Sequence, residues 1–303
     1  MMVQHDTKPH VEADLDPTRP RYDFEVSPEV SDFIPARPDG VRIALVHFEP
    51  EQHKSDNMQT AVRLAWQAAD EGANIISFPE MFLLPWVFAS EEVDAYEHLA
   101  DPFNGNIWTP LRTLARDKQV VLVCPFFERG DDKRNYNSCL VIDIHGEIAG
   151  CYRKRHLPPD NERLHITPGD GIFSAFQTAY GRVGVYICYD NFFPEGARAI
   201  ALDGADIVFA PSASTEIDAA FKWEIAIASH ALANGIPWVR INRIESPCYR
   251  ASFVALASGE IVPVDSDEGF ALVEIDYTDT DRVRAKWPFM EDRRPDQYQV
   301  LVK

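Results

Sequence analysis

Beyond residue 40 the chain falls into short apolar runs separated by longer amphipathic stretches, the rhythm of alternating strands and helices. Residues 41–48 read as a strand, 55–72 as a helix capped by Ser55 and Gly72, and 73–78 as a strand. A helix at 106–117 leads into a strand at 120–127, and segments 138–144 and 147–152 flank a His-Gly turn as a hairpin. The second half repeats the theme. Strands at 173–177 and 182–188 precede a helix at 195–203 and a strand at 207–210. A helix at 219–234 then feeds strands at 238–242, 253–257 and 270–275. No clear linker separates the halves, so the pattern predicts one α/β unit, residues 41–276, with two similar sheet halves. Residues 277–303 follow as a C-terminal segment. Its first part reads as a helix, and the apolar Trp287-Pro-Phe-Met290 stretch suits burial against a partner subunit.

Residues 1–40 stand apart, rich in Pro, Asp, Glu and His and without a sustained period. That composition suits a mobile extension or an arm wrapping a neighbouring subunit. Tyr22, Phe24, Val26 and Phe33 offer apolar anchors for the arm. A 46% hydrophobic content over 303 residues is ample for a substantial core. The formal charge of −19 argues against a nucleic-acid-binding surface and against attraction to anionic membranes. Five cysteines without close pairs indicate neither a disulfide framework nor a zinc knuckle. Neither a signal peptide nor an apolar run of transmembrane length is evident, which makes a cytoplasmic setting the expectation.

Three residues could carry chemistry. Cys188 follows the apolar run Val183-Gly-Val-Tyr-Ile187, and a helix begins a few residues later, near Pro194. A thiol on such a strand-to-helix turn would sit beside backbone N–H groups that lower its pKa and can bind an oxyanion. Glu80 closes Ile75-Ile-Ser-Phe-Pro-Glu80, beyond the C-terminal end of a buried strand, where ligands bind in α/β sheets. Apolar neighbours there would suit a general base. Lys154 lies in a basic run directly after the hairpin. Taken singly, these residues read better as a core thiol, a loop carboxylate and a solvated basic face. A papain-like pair with His156 or His230 is the competing arrangement. No GxGxxG, HxxxH or CxxC pattern points to a dinucleotide or a metal.

In combination the pieces are far more specific. Phe78-Pro-Glu-Met-Phe82, Tyr136-Asn-Ser-Cys-Leu-Val-Ile-Asp143 with Gly146, and Tyr152-Arg-Lys-Arg-His-Leu157 occur in order. Ile187-Cys-Tyr-Asp-Asn-Phe-Phe-Pro-Glu-Gly-Ala-Arg198 follows, then Gly204-Ala-Asp-Ile-Val208 and the stretch from His230 to Arg243. This series resembles the nitrilase superfamily of carbon–nitrogen hydrolases over about residues 41–275. The resemblance implies a four-layer α-β-β-α sandwich with a Glu80, Lys154 and Cys188 triad. It also implies that Glu162 orients Lys154, that the backbone N–H of Tyr189 helps bind the oxyanion, and that no metal or organic cofactor is needed. Relatives usually form dimers or larger homo-oligomers, which points to the helices near 195–203 and 219–234.

Substrate choice is less legible. Cys188-Tyr-Asp190 and Phe193-Pro-Glu195 look more like the amidase and N-carbamoyl-amine hydrolase branches than like true nitrilases. Asn242-Arg-Ile-Glu-Ser246 departs from the glycine that relatives often carry there. Trp86, Phe193 and Ser212 are pocket walls by position. The expected activity is hydrolysis of a small linear amide or N-carbamoyl compound. Nitrile hydrolysis, or a catalytically quiet binding protein of the same fold, are the alternatives.

Overall fold

The computed structural model describes residues 37–86, 88, 98–215 and 220–302. The N-terminal extension, up to position 36, lies outside the described residues. Strand β1 (Gly40–His47) shows how the layers arise. Its Val41, Ile43 and Leu45 point to one side of the sheet, and Ala44 and Val46 to the other, as strand geometry requires. Both faces are apolar, so both must be covered.

Six strands make the first sheet: β1, β2 (Ile75–Ser77), β3 (Val121–Arg129), β4 (Asn135–Ile142), β5 (Ile148–Arg153) and β12 (Gly269–Asp276). The second holds β6 (Ala175–Thr178), β7 (Gly181–Val185), β8 (Ile207–Ser212), β9 (Trp238–Asn242), β10 (Ser252–Ala255) and β11 (Ile261–Val264). Read as β12-β1-β2-β3-β4-β5 and β6-β7-β8-β9-β10-β11, the two sheets have the same sequence of antiparallel and parallel pairings. The predicted likeness of the two halves is thus a shared pairing pattern. The edge strand of the first sheet comes from the far end of the chain: β12 pairs antiparallel with β1 along its whole length. Strand β11 has no counterpart in the sequence reading. It has only four residues, one of them Pro263, and it lies at a sheet edge, where a missing N–H is tolerated.

Helices α1 (Lys54–Asp70) and α2 (Thr109–Lys118) cover the outer face of the first sheet. Met58, Ala61, Leu64, Ala65 and Ala68 of α1 pack with Leu111 and Leu114 of α2 on Ala44, Val46, Ile76 and Leu122. Ser55 falls inside α1 rather than capping it; His53 holds the cap position, and Gly72 adopts φ +91° just past the C-cap Glu71. Between the sheets, Val41, Ile43, Ile75 and Val121 share one core with Val183, Val185, Ile207 and Val239. Each such buried side chain contributes about 1.5–3 kcal/mol. Helices α4 (Pro194–Leu202) and α5 (Ala220–Asn234) form the fourth layer through Ala197, Ile200, Trp223, Ile227 and Ala231. The result is the α-β-β-α sandwich. A short helix α3 (Asn161–His165) and a C-terminal helix α6 (Tyr277–Lys286) complete the described α-helices. Among the described residues, no helix is long and apolar enough to cross a membrane.

Candidate active site

Strand direction decides where chemistry can gather. Strands β2, β3 and β5 run the same way, as do β7, β8 and β9. The residues just past β2, β5 and β7 are Glu80, Lys154 and Cys188, and side chains from both sheets meet at this edge.

Lys154 is the hub. It is buried, and its Nζ donates to Glu80 Oε1 at 2.9 Å and to Glu162 Oε1 and Oε2 at 2.9 and 2.7 Å. Burial by itself lowers the pKa of the ammonium. Glu162 and Glu80 outweigh that effect and hold its pKa well above that of an ordinary lysine. Glu162 sits in the first turn of α3, where the Asp160 cap accepts its backbone N–H at 2.9 Å. Burial pushes its carboxyl up to about 7 against the pull of Lys154, with the charge of Glu80 adding to the rise.

Asn137 was not assigned a role from sequence, although it lies in a quoted motif. Its Nδ2 donates to Glu80 Oε1 at 2.6 Å and to Glu162 Oε1 at 2.8 Å, tying the two carboxylates together. The only local signal was an amide in a strand otherwise rich in apolar residues. Glu80 is therefore fixed through Oε1 by polar partners. Its other oxygen, Oε2, is buried and makes no hydrogen bond. That leaves one carboxylate oxygen with lone pairs to offer.

Cys188 adopts φ +46°, a left-handed conformation that costs a non-glycine residue about 1–2 kcal/mol. Its surroundings hold it there. Asn191 Nδ2 donates to the carbonyls of Tyr186 (2.7 Å) and Cys188 (3.0 Å), while Asn191 Oδ1 accepts from Trp238 Nε1 at 2.8 Å. The buried Asp190 carboxylate accepts from Ile187 N (3.2 Å), Tyr152 Oη (2.8 Å), His156 N (2.8 Å) and the His156 ring (2.8 Å). Asp190 thus locks the cysteine turn to the segment that carries Lys154. The turn is a 3-10 helix, Cys188–Phe192, whose first N–H groups have no partner inside the helix. The N–H of Tyr189 is one of these.

The thiol itself departs from expectation. Burial pushes its pKa up and the Glu80 charge adds to that, while Lys154 pulls the other way. The turn was expected to lower it. Desolvation wins because Cys188 is nearly enclosed, so the resting pair is a thiol beside a carboxylate-rich cluster. The two histidines face elsewhere. His156 binds Asp190, and His230 Nε2 donates to the Asn191 carbonyl at 2.7 Å.

A family profile for carbon–nitrogen hydrolases matches residues 42–285. The chain belongs to that family. It is a carbon–nitrogen hydrolase of the nitrilase superfamily, as its ordered motifs implied. It is 36% identical over 286 residues to N-carbamoylputrescine amidase from Oryza sativa subsp. japonica, covering 86% of this chain and 94% of that one. It is 31% identical to a citrullinase from Francisella tularensis, covering 87% and 98% of the two chains. A carbon–nitrogen hydrolase structure from Helicobacter pylori G27 superposes with a TM-score of 0.78 at 29% identity, over 88% of this chain and 99% of that one.

The three residues expected to wall the pocket of this hydrolase fare differently from one another. Phe193 stacks on His156 with centroids 3.8 Å apart and lines a cleft of about 320 Å³ with Tyr189, Arg155, Leu157, Arg163 and Pro168. Trp86 is half-buried, edge-on to Phe88, with the Arg243 guanidinium 5.7 Å from its ring. Ser212 ends β8, fully buried, and its hydroxyl donates to the Ala210 carbonyl at 3.1 Å, so it is committed to its own strand. The backbone of Ala213 is what reaches the Cys188 thiol from that strand end. Among the described residues, no group of His, Cys, Asp and Glu is arranged to hold a metal ion.

Proposed function

We propose that Cys188, Glu80 and Lys154 hydrolyse the terminal C–N bond of a small linear N-carbamoyl compound or amide. The observation that supports this most directly is the free, buried Oε2 of Glu80 on a carboxylate whose other oxygen is held by Asn137 and Lys154. Such an oxygen is a base with one direction left to act in. Cys188 Sγ attacks the carbonyl carbon as its proton passes to Glu80. The oxyanion is held by the Tyr189 N–H and by Lys154, whose contacts with Glu162 come from a single carboxylate and leave an ammonium proton to turn towards substrate. Glu80 returns the proton to the leaving nitrogen, and ammonia departs. An amide leaves a thioester on Cys188, and an N-carbamoyl compound leaves a thiocarbamate. Water activated by Glu80 then releases a carboxylic acid, or a carbamic acid that decomposes to amine and carbon dioxide. Glu162 keeps Lys154 charged and in place.

The relatives named for N-carbamoylputrescine and citrulline favour the carbamoyl group. Ammonia release from a panel of N-carbamoyl amines, N-carbamoyl amino acids, linear amides and nitriles tests the reading. Turnover is expected on the carbamoyl members, with slower turnover on amides. Turnover confined to nitriles, or silence across the panel from folded protein, would refute it.

The same reading includes a cytoplasmic homo-oligomer. Phe221, Ile225 and Leu232 share one face of α5 and are 56%, 64% and 44% exposed, beside the exposed Leu202 of α4. Met290 of the C-terminal segment, which follows the exposed Trp287 and Phe289, contacts Arg198 of α4. The Phe221→Glu/Ile225→Glu double variant is expected to elute as a monomer in light-scattering chromatography, with wild-type protein at least dimeric. A wild-type monomer would exclude this interface.

A further inference from the structure

Arg243 follows the last residue of β9, where a basic side chain at a strand end would ordinarily turn to solvent. Here its guanidinium is buried and crosses to the first sheet. Nη1 donates to the backbone carbonyls of Glu80 at 2.7 Å and Met81 at 3.0 Å, and Nη2 to that of Leu84 at 2.6 Å. Nε donates to the Glu245 carboxylate at 2.5 Å, which supplies the counter-charge. One side chain therefore satisfies three carbonyls of a single turn, 159 to 163 residues away in sequence.

That turn is the one that aims Glu80. It leaves β2 through the Phe78 N–H bond to the Val123 carbonyl (3.2 Å) and contains Met81 at φ +51°, a left-handed conformation for a non-glycine residue. Such a conformation persists only where the surroundings over-determine it. The planar guanidinium fork can span several fixed acceptors set apart from one another; the three donors of an ammonium radiate from a single nitrogen and cannot span them. We propose that Arg243 is the positioning residue for Glu80: it fixes the backbone from which the carboxylate projects and so sets the direction of Oε2 towards Cys188. It also ties the sheet that carries Cys188 to the one that carries Glu80. This inference rests on the proposed role of Glu80 as the base.

The test is a double-mutant cycle between Arg243→Lys and Glu80→Gln, read by two measurements. The first is steady-state turnover of the best panel substrate. Arg243→Lys is expected to lower kcat roughly 100-fold, the usual consequence of an ångström-scale misplacement, with KM changed less than about threefold. The second is the rate and pH profile of Cys188 alkylation by iodoacetamide, followed by peptide mass, which needs no hydrolysis. Arg243→Lys should slow alkylation in the wild-type background and have no further effect once Glu80 is glutamine. A merely structural role would add the same penalty in both backgrounds and would overturn the inference, as would unchanged kcat. Full turnover by Glu80→Gln would instead defeat the reading of Glu80 as base. If Arg243→Lys does not fold, Glu245→Gln, which leaves the fork but removes its counter-ion, must show a smaller loss with the same non-additivity. Additive loss there overturns the inference equally.

Discussion

Cys188→Ala is expected to abolish ammonia release, by at least roughly 10⁴-fold, while leaving the thermal unfolding midpoint within a few degrees of wild type. The two halves of this expectation have separate physical grounds. In the proposed mechanism the bond to carbon is made by sulfur, which alanine lacks. His156 and His230 are held by Asp190 and the Asn191 carbonyl. Stability is kept because the left-handed turn is held by Asn191 and Asp190 rather than by the thiol. Alanine has the same Cβ and meets the same backbone strain as cysteine. Burial and the Glu80 charge raise the thiol pKa, so in the proposed mechanism the nucleophile forms as Glu80 takes the proton. More than a few per cent of wild-type turnover in Cys188→Ala would end the covalent mechanism.

Lys154→Ala is expected to lose both activity and stability. Removing one oxyanion partner costs roughly 3 kcal/mol of transition-state stabilisation, about 100-fold in kcat. From the basic run in the sequence, an intact fold would be expected. The buried ammonium says otherwise, because its loss leaves Glu80 and Glu162 buried with no counter-charge. Breaking a buried ion pair from one side costs about 3–5 kcal/mol, which for a chain of this size lowers the unfolding midpoint by roughly 5 °C or more. The pH dependence has a definite sign. Without Lys154, Glu162, whose carboxyl burial already raises to about 7, binds its proton more tightly in the folded state than in the unfolded one. The variant therefore loses stability as pH rises above the ordinary carboxyl value of 4.5. Unfolding scans at pH 5 and pH 8 check this. A Lys154→Ala protein equally stable at both would show that the cluster is not charged as described. Lys154→Arg should not restore turnover, because a guanidinium does not fit three contacts arranged around a single nitrogen.

Sequence alone determined the elements and the identity of the chemical groups, since both are local properties. The apolar runs of β1 and of the strand ending near Cys188, and the 3.6-residue period of α1, are all displayed by a short window. Helix α6 was legible for the same reason, and the ordered motifs carried the family because each holds its own neighbourhood. Long-range partnerships were not legible. Nothing near residues 269–276 says that they pair with β1 rather than extend the second sheet, because register depends on faces buried elsewhere. The direction of the Cys188 shift needed to know how completely the turn is enclosed. Asn137 and Arg243 lay within the quoted motifs, yet their work is done on residues 25 to 163 positions away. Only the tertiary structure decided that Lys154 is buried rather than solvated, because desolvation and pairing depend on what surrounds a group in space.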